Sequence, residues 1–325
     1  MKKVLLVCLD NLGDLVFVSG LARALSEDPD VELSLWCKDY TSRIAHLLPG
    51  IHKIYAADPF WDRGPQRRRG SLRVFLRSWR SIRRAHFDVA YLPTVNWRTA
   101  FFVKLAGIPR RLGLAGRKNQ RFLTEVVHQP RSDETVVAGF LRVFGGSLTR
   151  SVPPHTWLDR RRLPPLALPL SLQGKKIAVL HAFAGRADRC APLEVWERLA
   201  QQLEAAGYFI LWTGTQLELE RLRGRLPGSD VAHFIDSWAQ DLEKLAWLWA
   251  QASLFVGHDS GPLHVAHALG VPVIGLYLPG QKRTFPQSAA PSHLYQASNP
   301  AALDLLQLSQ GIAGFIEGLA QLTKS

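Results

Sequence analysis

The sequence is poor in cysteine and has no long apolar run. Its three cysteines, Cys8, Cys37 and Cys190, are an odd number and lack the C-x-x-C spacing of metal sites. We therefore expect no disulfide framework, and reduced thiols are typical of a cytosolic protein. No apolar stretch approaches the roughly 20 residues that a membrane-spanning helix needs. These absences predict a protein that is soluble or, at most, bound to a membrane surface.

Length and composition indicate a globular chain with two domains. The 325 residues are many for one hydrophobic core, and 47% of them are hydrophobic while 21% are charged, which argues against disorder. The opening "MKKVLLVCLDNLGD" faintly resembles a signal peptide. Asp10, Asn11 and Asp14 interrupt its apolar run, which therefore predicts a buried strand.

Positive charge is concentrated in the first half. The net charge is +13, and residues 1 to 155 hold 25 Lys and Arg against 13 Asp and Glu. Residues 63 to 87 contain nine arginines and no acid. The first half is therefore expected to meet anionic partners.

Apolar runs alternate with segments of helical period throughout the chain, which predicts an α/β fold with parallel sheets. The first half predicts strands over 3–9, 31–37, 53–56 and 87–93, and helices near 15–27, 41–48, 70–85 and 97–105. The second half predicts strands over 175–182, 208–214, 231–235, 253–259 and 271–277, and helices near 192–206, 216–226, 241–251 and 260–269.

A proline-rich segment separates the two sets of elements. Five prolines between 152 and 174 disfavour regular structure there, so we predict a first domain over 1–155, a linker over 156–174 and a second domain over 175–325. The last helix could pack back onto the first domain. Two doubly wound, Rossmann-like domains commonly face each other across a cleft, with ligands at the carboxyl ends of the strands.

The stretch "FVGHDSGPLHVAHALGVPVIGLY" (255–277) predicts a strand, a capped helix and another strand. Asp259 or Ser260 suits the N-cap, and a helix N-terminus with Gly261 favours a phosphate ligand. An ordinary capped helix without a ligand explains the pattern equally well. His264 and His267 lie one turn apart but lack a third metal ligand, so a helix-face or donor-contact role is favoured over a metal site.

A second motif, "LDNLGDLVFVSGLARAL" (9–25), follows the first predicted strand. Gly13 would permit a tight turn and place Asp14 at the start of a helix, where its carboxylate can act as a general base. Locally, a helix-capping role for Asp14 is the simpler interpretation.

Together, the two motifs resemble glycosyltransferase family 9, the heptosyltransferase family of bacterial lipopolysaccharide assembly. "LGDLVFVSGLARAL" is similar to the family's Gly-Asp turn, and "DSGPLHVAHALGVPVIGLY" to its most specific motif. The resemblance runs from about residue 3 to 290 and implies two Rossmann-like domains of the GT-B type. Leu278, Pro279 and Gly280 depart from the family pattern near the expected donor site.

The resemblance assigns roles to individual residues. Asp14 matches the catalytic base that deprotonates the acceptor hydroxyl during an inverting attack. Donor contacts are implied for six residues: Asp259 at the sugar, Ser260 and Gly261 at the diphosphate, His264 in the donor site, Arg189 near the phosphates and Glu218 at the ribose.

The implied reaction moves a heptose from ADP-heptose to a phosphorylated lipopolysaccharide core at the cytoplasmic face of the inner membrane. No cofactor or metal is expected, since no Asp-x-Asp motif follows a predicted strand. A protein hydroxyl, a small glycoside or another sugar nucleotide is the alternative substrate. A non-catalytic protein that binds anions or lipid is the alternative from another class.

The arginines of residues 63–87 predict an amphipathic helix. Such a helix could bind anionic lipid, grip acceptor phosphates or only face water. Nucleic-acid binding is not expected, because no nucleic-acid-binding motif accompanies the charge. The helical spacing relates Arg69, Arg73, Arg77, Arg80 and Arg84, with Leu72, Phe75, Leu76 and Trp79 available for the opposite side.

Overall fold

The chain is described here by a computed structural model that covers residues 1–62, 70–185, 189–222, 241–277, 282–296 and 305–322. It divides into two compact units, Met1–Arg162 and Leu163–Ser325. The division falls within the segment 156–174, which sequence analysis interprets as a linker.

Among its described residues, the first unit has a six-stranded parallel sheet with helices, in the strand order β3-β2-β1-β4-β5-β6. Its strands are β1 (Lys2–Cys8), β2 (Val31–Cys37), β3 (Ile51–Ala56), β4 (Val89–Leu92), β5 (Arg110–Leu114) and β6 (Glu125–Val127). Its helices are α1 (Leu12–Ser26), α2 (Asp39–Ala45), α3 (Leu72–Ala85), α4 (Trp97–Leu105) and α5 (Val136–Phe144).

The central strand of this unit is β1, whose residues Val4 to Cys8 are buried. A continuous apolar run is what a parallel strand covered on both faces requires. In β1, Cys8 pairs with Cys37 of β2 and Leu6 pairs with Tyr91 of β4. The chain builds the sheet outward from β1 through β2 and β3, then returns to its other side with β4. The carboxyl ends of β1 and β4 therefore form the topological switch point, where such sheets bind ligands.

The second unit has a five-stranded parallel sheet among its described residues, in the order β11-β10-β9-β7-β8. The strands are β7 (Ile177–His181), β8 (Phe209–Trp212), β9 (Leu254–His258), β10 (Val273–Tyr277) and β11 (Ser292–Gln296). The helices are α6 (Leu193–Ala205), α7 (Gln216–Leu222), α8 (Leu242–Ala250), α9 (Gly261–Ala268) and α10 (Leu305–Leu322).

In the second unit, β7 lies between β8 and β9. His181 of β7 pairs with Gly257 of β9, which also pairs with Gly275 of β10. Among the described strands the switch point is between β7 and β9, so the loops after these two strands leave the sheet at the edge where ligands bind. The last helix, α10, packs against β11 and α6 of its own unit.

The α/β class and the parallel sheets predicted from sequence are confirmed. Helix α4 has the predicted bounds and β2 does too, whereas the prediction for α1 was three residues late, because the helix begins at Leu12. The predicted strand 231–235, and the predicted helix 216–226 beyond Leu222, lie outside the described residues, as do Leu278, Pro279 and Gly280.

No helix within the described ranges is both long enough and apolar enough to cross a bilayer.

Candidate functional site

The start of α9 forms an unsatisfied polar turn at the carboxyl edge of the second sheet. Ser260 occupies the predicted N-cap position with extended backbone, and Pro262 lies in the first turn. The Ser260 hydroxyl is buried and has no hydrogen-bond partner among the described residues. A buried hydroxyl without a partner is costly unless a ligand satisfies it. The hydroxyl and the free N–H groups of the helix start therefore suit a phosphate.

Beside this turn, the Asp259 carboxylate is held from two sides. Its Oδ1 lies 3.1 Å from Nε2 of His264, and the Thr284 hydroxyl donates to Oδ2 at 3.0 Å. The hydroxyl of Tyr277 in turn donates to the Thr284 carbonyl at 3.1 Å. Asp259 therefore has a fixed orientation before any ligand binds. No sequence motif predicts a role for Tyr277 or Thr284.

Arg189 lies half-buried in the turn that precedes α6. Two residues later, the Ala191 N–H donates to Nε2 of His258 at 3.0 Å. Burial lowers the pKa of His258 to about 4, with His181 adding to the effect. His258 is therefore neutral at pH 7, so its Nε2 is free to accept this hydrogen bond. The strand β9 thus anchors the turn that carries Arg189.

Glu218 lies in the first turn of α7, directly after β8. Its Oε2 accepts hydrogen bonds from the Thr215 N–H at 2.8 Å and the Thr215 hydroxyl at 2.9 Å. The Glu218 N–H donates to the Thr215 hydroxyl oxygen at 3.4 Å, which completes a capping box. A Cβ at Gly214 would lie 3.3 Å from this carboxylate, so the backbone passes close to it. The side chain is half-exposed and is held at the same edge as the other predicted donor residues.

The second histidine of α9 has a structural role. Nε2 of His267 lies 2.9 Å from the Ala290 carbonyl, and its Nδ1 accepts from the Ser288 N–H at 3.1 Å. Both ring nitrogens thus hold the segment before β11.

The structure therefore gathers the six predicted donor residues at one edge of the second sheet. This grouping follows from the strand order, because β7 pairs with both β8 and β9 and the three parallel strands end at the same edge. The residues that follow these strands there are Arg189, Glu218, Asp259, Ser260, Gly261 and His264.

Asp14 lies at the corresponding edge of the first sheet, exposed, in the first turn of α1. Its Oδ2 accepts the Asn11 N–H at 2.9 Å, so the carboxylate caps the helix as the simpler interpretation predicted. The prediction of a tight turn at Gly13 was wrong, because Asn11 caps α1 and Gly13 is already helical.

Three further polar residues follow strands at the same edge of the first sheet as Asp14, and no predicted role was assigned to them. Asp10 follows β1, Lys38 follows β2 and is 5% exposed, and Thr94 follows β4. Lys38 forms an ion pair with Asp62. These residues belong to no common sequence motif. They lie far apart in the chain, and the strand order brings them to the same edge.

Helix α3 presents a basic face. Arg73, Arg77, Arg80 and Arg84 are exposed, whereas Arg69 lies outside the described residues. The opposite side buries Phe75 with Ser78 and Ile82. The prediction that Leu72 joins this buried side was wrong, since it is 50% exposed at the helix start.

Comparisons with known proteins agree on one family. A family model described as glycosyltransferase family 9 (heptosyltransferase) matches residues 75–302. Lipopolysaccharide heptosyltransferase 2 of Escherichia coli (strain K12) is 24% identical over 309 residues, covering 85% of this chain and 83% of that protein.

Solved structures share the fold. The glycosyl transferase family 9 structure from Veillonella parvula DSM 2008 matches with a TM-score of 0.78 and 14% identity, covering 98% of this chain and 97% of that one. E. coli heptosyltransferase WaaC with ADP matches with a TM-score of 0.75 and 18% identity, covering 97% and 100%. Because the family model spans well over half of the residues, this chain belongs to glycosyltransferase family 9, the heptosyltransferase family, and is a glycosyltransferase.

Proposed function

We propose that this enzyme transfers heptose from ADP-heptose to a hydroxyl of a lipopolysaccharide inner-core acceptor, with inversion at the anomeric carbon. The buried, unpartnered Ser260 hydroxyl at the start of α9 is the observation that carries the proposal. A buried hydroxyl without a partner supports an anion site there, and family membership together with a relative solved with ADP suggests the diphosphate of an ADP-sugar.

In this proposal the donor lies along the carboxyl edge of the second sheet. The Ser260 hydroxyl, the N–H groups of α9 and Arg189 hold the diphosphate, and Glu218 accepts hydrogen bonds from the ribose. Asp259, oriented by His264 and Thr284, contacts the sugar. Groups fixed in advance stabilise developing charge without reorganisation.

The reaction requires one base and stabilisation of one leaving group. The acceptor oxygen forms a bond to the anomeric carbon, its proton passes to the Asp14 carboxylate, and the bond from that carbon to the phosphate oxygen breaks. The departing ADP carries the added negative charge, which Arg189 and the helix N-terminus offset. The proposed chemistry needs no metal ion, so turnover is expected to persist in a chelator.

Replacing Asp14 tests the reaction. Asp14→Asn keeps an oxygen for the Asn11 N–H but removes the base, so turnover should fall by about a hundredfold or more while ADP affinity stays the same. Mass spectrometry of a heptose-deficient core acceptor incubated with ADP-heptose measures transfer, and calorimetry measures ADP binding. Substantial turnover by this variant, or faster transfer from another sugar nucleotide, would contradict the proposal.

We further propose that the basic face of α3 contacts phosphate groups of the glycolipid acceptor, at the cytoplasmic face of the inner membrane. Its exposed arginines face solvent without an intervening acid on the helix, and guanidinium groups suit bidentate phosphate contacts.

Charge reversal on α3 tests this contact. The double variant Arg77→Glu with Arg80→Glu should raise the acceptor KM about tenfold, more at low salt than at high salt, and leave ADP affinity unchanged. Arg198→Glu, at an exposed arginine of α6, is the matched control. If the double variant loses affinity for anionic vesicles without the acceptor by the same factor, the basic face of α3 contacts lipid instead of the acceptor.

A further inference from the structure

The segment that follows β10 carries a second buried polar group without a partner. The Nε of Arg283 is buried and has no hydrogen-bond partner among the described residues, as is the case for the Ser260 hydroxyl. Arg283 lies in a short 3-10 turn, Lys282–Thr284, soon after the strand ends at Tyr277. The donor contacts proposed above assign no role to this guanidinium.

The strand order brings Arg283 and Ser260 to the same edge of the second sheet. The strands β9 and β10 are parallel neighbours, and Leu276 of β10 pairs with His258 of β9. The residues that follow these strands therefore leave the sheet side by side, at the carboxyl edge where such sheets bind ligands.

One hydrogen bond joins the two segments. The Thr284 hydroxyl donates to the Asp259 carboxylate at 3.0 Å. Arg283 precedes Thr284 in the chain, and Ser260 follows Asp259, so each unpartnered group belongs to a residue next to this hydrogen bond. The two donors therefore flank the same pair of residues, although they belong to different segments of the chain.

The main chain at Arg283 is fixed from two sides. Nε2 of the buried Gln287 donates to the Arg283 carbonyl at 3.0 Å, and the Tyr277 hydroxyl donates to the Thr284 carbonyl at 3.1 Å. Both contacts use carbonyl oxygens of the turn, so they hold it in place without using the guanidinium. The turn is therefore ordered before a ligand binds, which limits the entropy cost of binding.

The chemistry of the group favours an anion. An arginine is always charged, and a buried N–H without an acceptor is costly. An anion supplies both the missing acceptor and the opposite charge. A phosphate has several acceptor oxygens, so one phosphate can accept hydrogen bonds from Arg283 and from the Ser260 hydroxyl.

We propose that Arg283 binds the phosphate that carries the sugar and is a further catalytic residue of the transfer. This inference rests on the proposed function, in which Asp259 contacts the sugar and Ser260 the diphosphate. Arg283 adjoins the residue that holds Asp259, so it belongs to the sugar end of the donor. When the bond from the anomeric carbon to the phosphate oxygen breaks, its electron pair stays on that oxygen. The guanidinium offsets this added charge.

A comparison of ADP with AMP tests the contact, because AMP lacks the sugar-bearing phosphate. Arg283→Gln should weaken ADP binding about thirtyfold and AMP binding less than about threefold, as measured by calorimetry. Arg283→Lys keeps the charge but loses the forked donors, so it should recover only part of the ADP affinity. Arg198→Gln, at an exposed arginine of α6, is the matched control and should change neither affinity.

Turnover and stability separate catalysis from a structural role. At saturating donor, Arg283→Gln should lower kcat about tenfold, because the negative charge on the leaving phosphate is larger in the transition state than in the ground state. The KM for the acceptor should stay the same. The Tm of the free variant should not fall, since the Nε has no hydrogen bond to lose among the described residues.

Two outcomes would overturn the inference alone. Equal weakening of ADP and AMP binding would place Arg283 away from the sugar-bearing phosphate. A higher KM for the acceptor with unchanged ADP affinity would assign Arg283 to a phosphate of the acceptor.

Comparison with Ser260→Ala distinguishes this inference from the proposed function. If Ser260→Ala weakens ADP binding but Arg283→Gln does not, only the role of Arg283 is wrong. If neither variant weakens ADP binding, the donor site of the proposed function is wrong, and the inference fails with it.

Discussion

At Ser260, a single substitution should weaken ligand binding without lowering the stability of the folded protein. The Ser260 hydroxyl has no partner among the described residues, so Ser260→Ala should not lower the Tm of the free enzyme. The same change should remove a charge-assisted hydrogen bond to the diphosphate and weaken ADP binding by about 2 kcal/mol, or about thirtyfold in Kd. Isothermal calorimetry and thermal unfolding check both parts.

A matched control for this prediction is Ser292→Ala, at an exposed serine that begins β11. It should change neither quantity. Unaltered ADP affinity in Ser260→Ala would place the diphosphate elsewhere.

At the residue scale, candidate site residues can be predicted from the sequence when they belong to one contiguous motif. Asp259, Ser260 and His264 lie within six residues of chain, and the structure brings them together. Thr284 is 25 residues from Asp259 and joins it only through the fold. The sequence shows Asp10 only as a residue that interrupts an apolar run. Its neighbours in the fold follow β2 and β4, which lie far away in the chain.

At the scale of elements, β10 is coupled to the donor edge through a glycine. A Cβ at Gly275 would lie 2.5 Å from Cε2 of Tyr277, the residue whose hydroxyl holds Thr284. Gly275→Ala should therefore displace the Tyr277 ring, cost about 1–3 kcal/mol of unfolding free energy, and weaken ADP binding through Asp259. Urea unfolding and calorimetry measure the two effects.

The matched glycine for this prediction is Gly314, which is exposed on α10 with open space around its position. Gly314→Ala should leave ADP binding unchanged and raise stability by up to about 1 kcal/mol. If Gly275→Ala destabilises the protein but binds ADP normally, Tyr277 does not transmit its position to Asp259.

Strands with a clear apolar pattern were predictable from the sequence, whereas β5 and β6 were not. The strands β1, β7, β9 and β10 contain continuous apolar runs, and β2 alternates apolar residues with Glu32 and Ser34. The strand β6 has three residues, and β5 begins with two arginines, so neither has an apolar run long enough to be distinguished from a loop. Their pairing with β4 and with each other defines them as strands.

At the scale of the molecule, length and the proline-rich segment predicted two domains, and the chain divides into two compact units. Each unit has its own parallel sheet with buried central strands, so each has the core that independent folding requires. The concentration of positive charge in the first half can also be predicted from the sequence, because net charge depends only on which residues are present. Which arginines face solvent follows only from the packing of α3.

The separate cores predict how a ligand stabilises the whole protein. All six predicted donor residues lie in the second unit, so ADP should stabilise that unit selectively. At a free concentration about a hundredfold above Kd, the expected gain is about 2.7 kcal/mol. Hydrogen exchange should then slow in peptides from β7, β9 and β10, but not in those from β1 and β4. Ser260→Ala should reduce this protection and Asp14→Asn should retain it, whereas equal protection of both sheets would mean that the units unfold together.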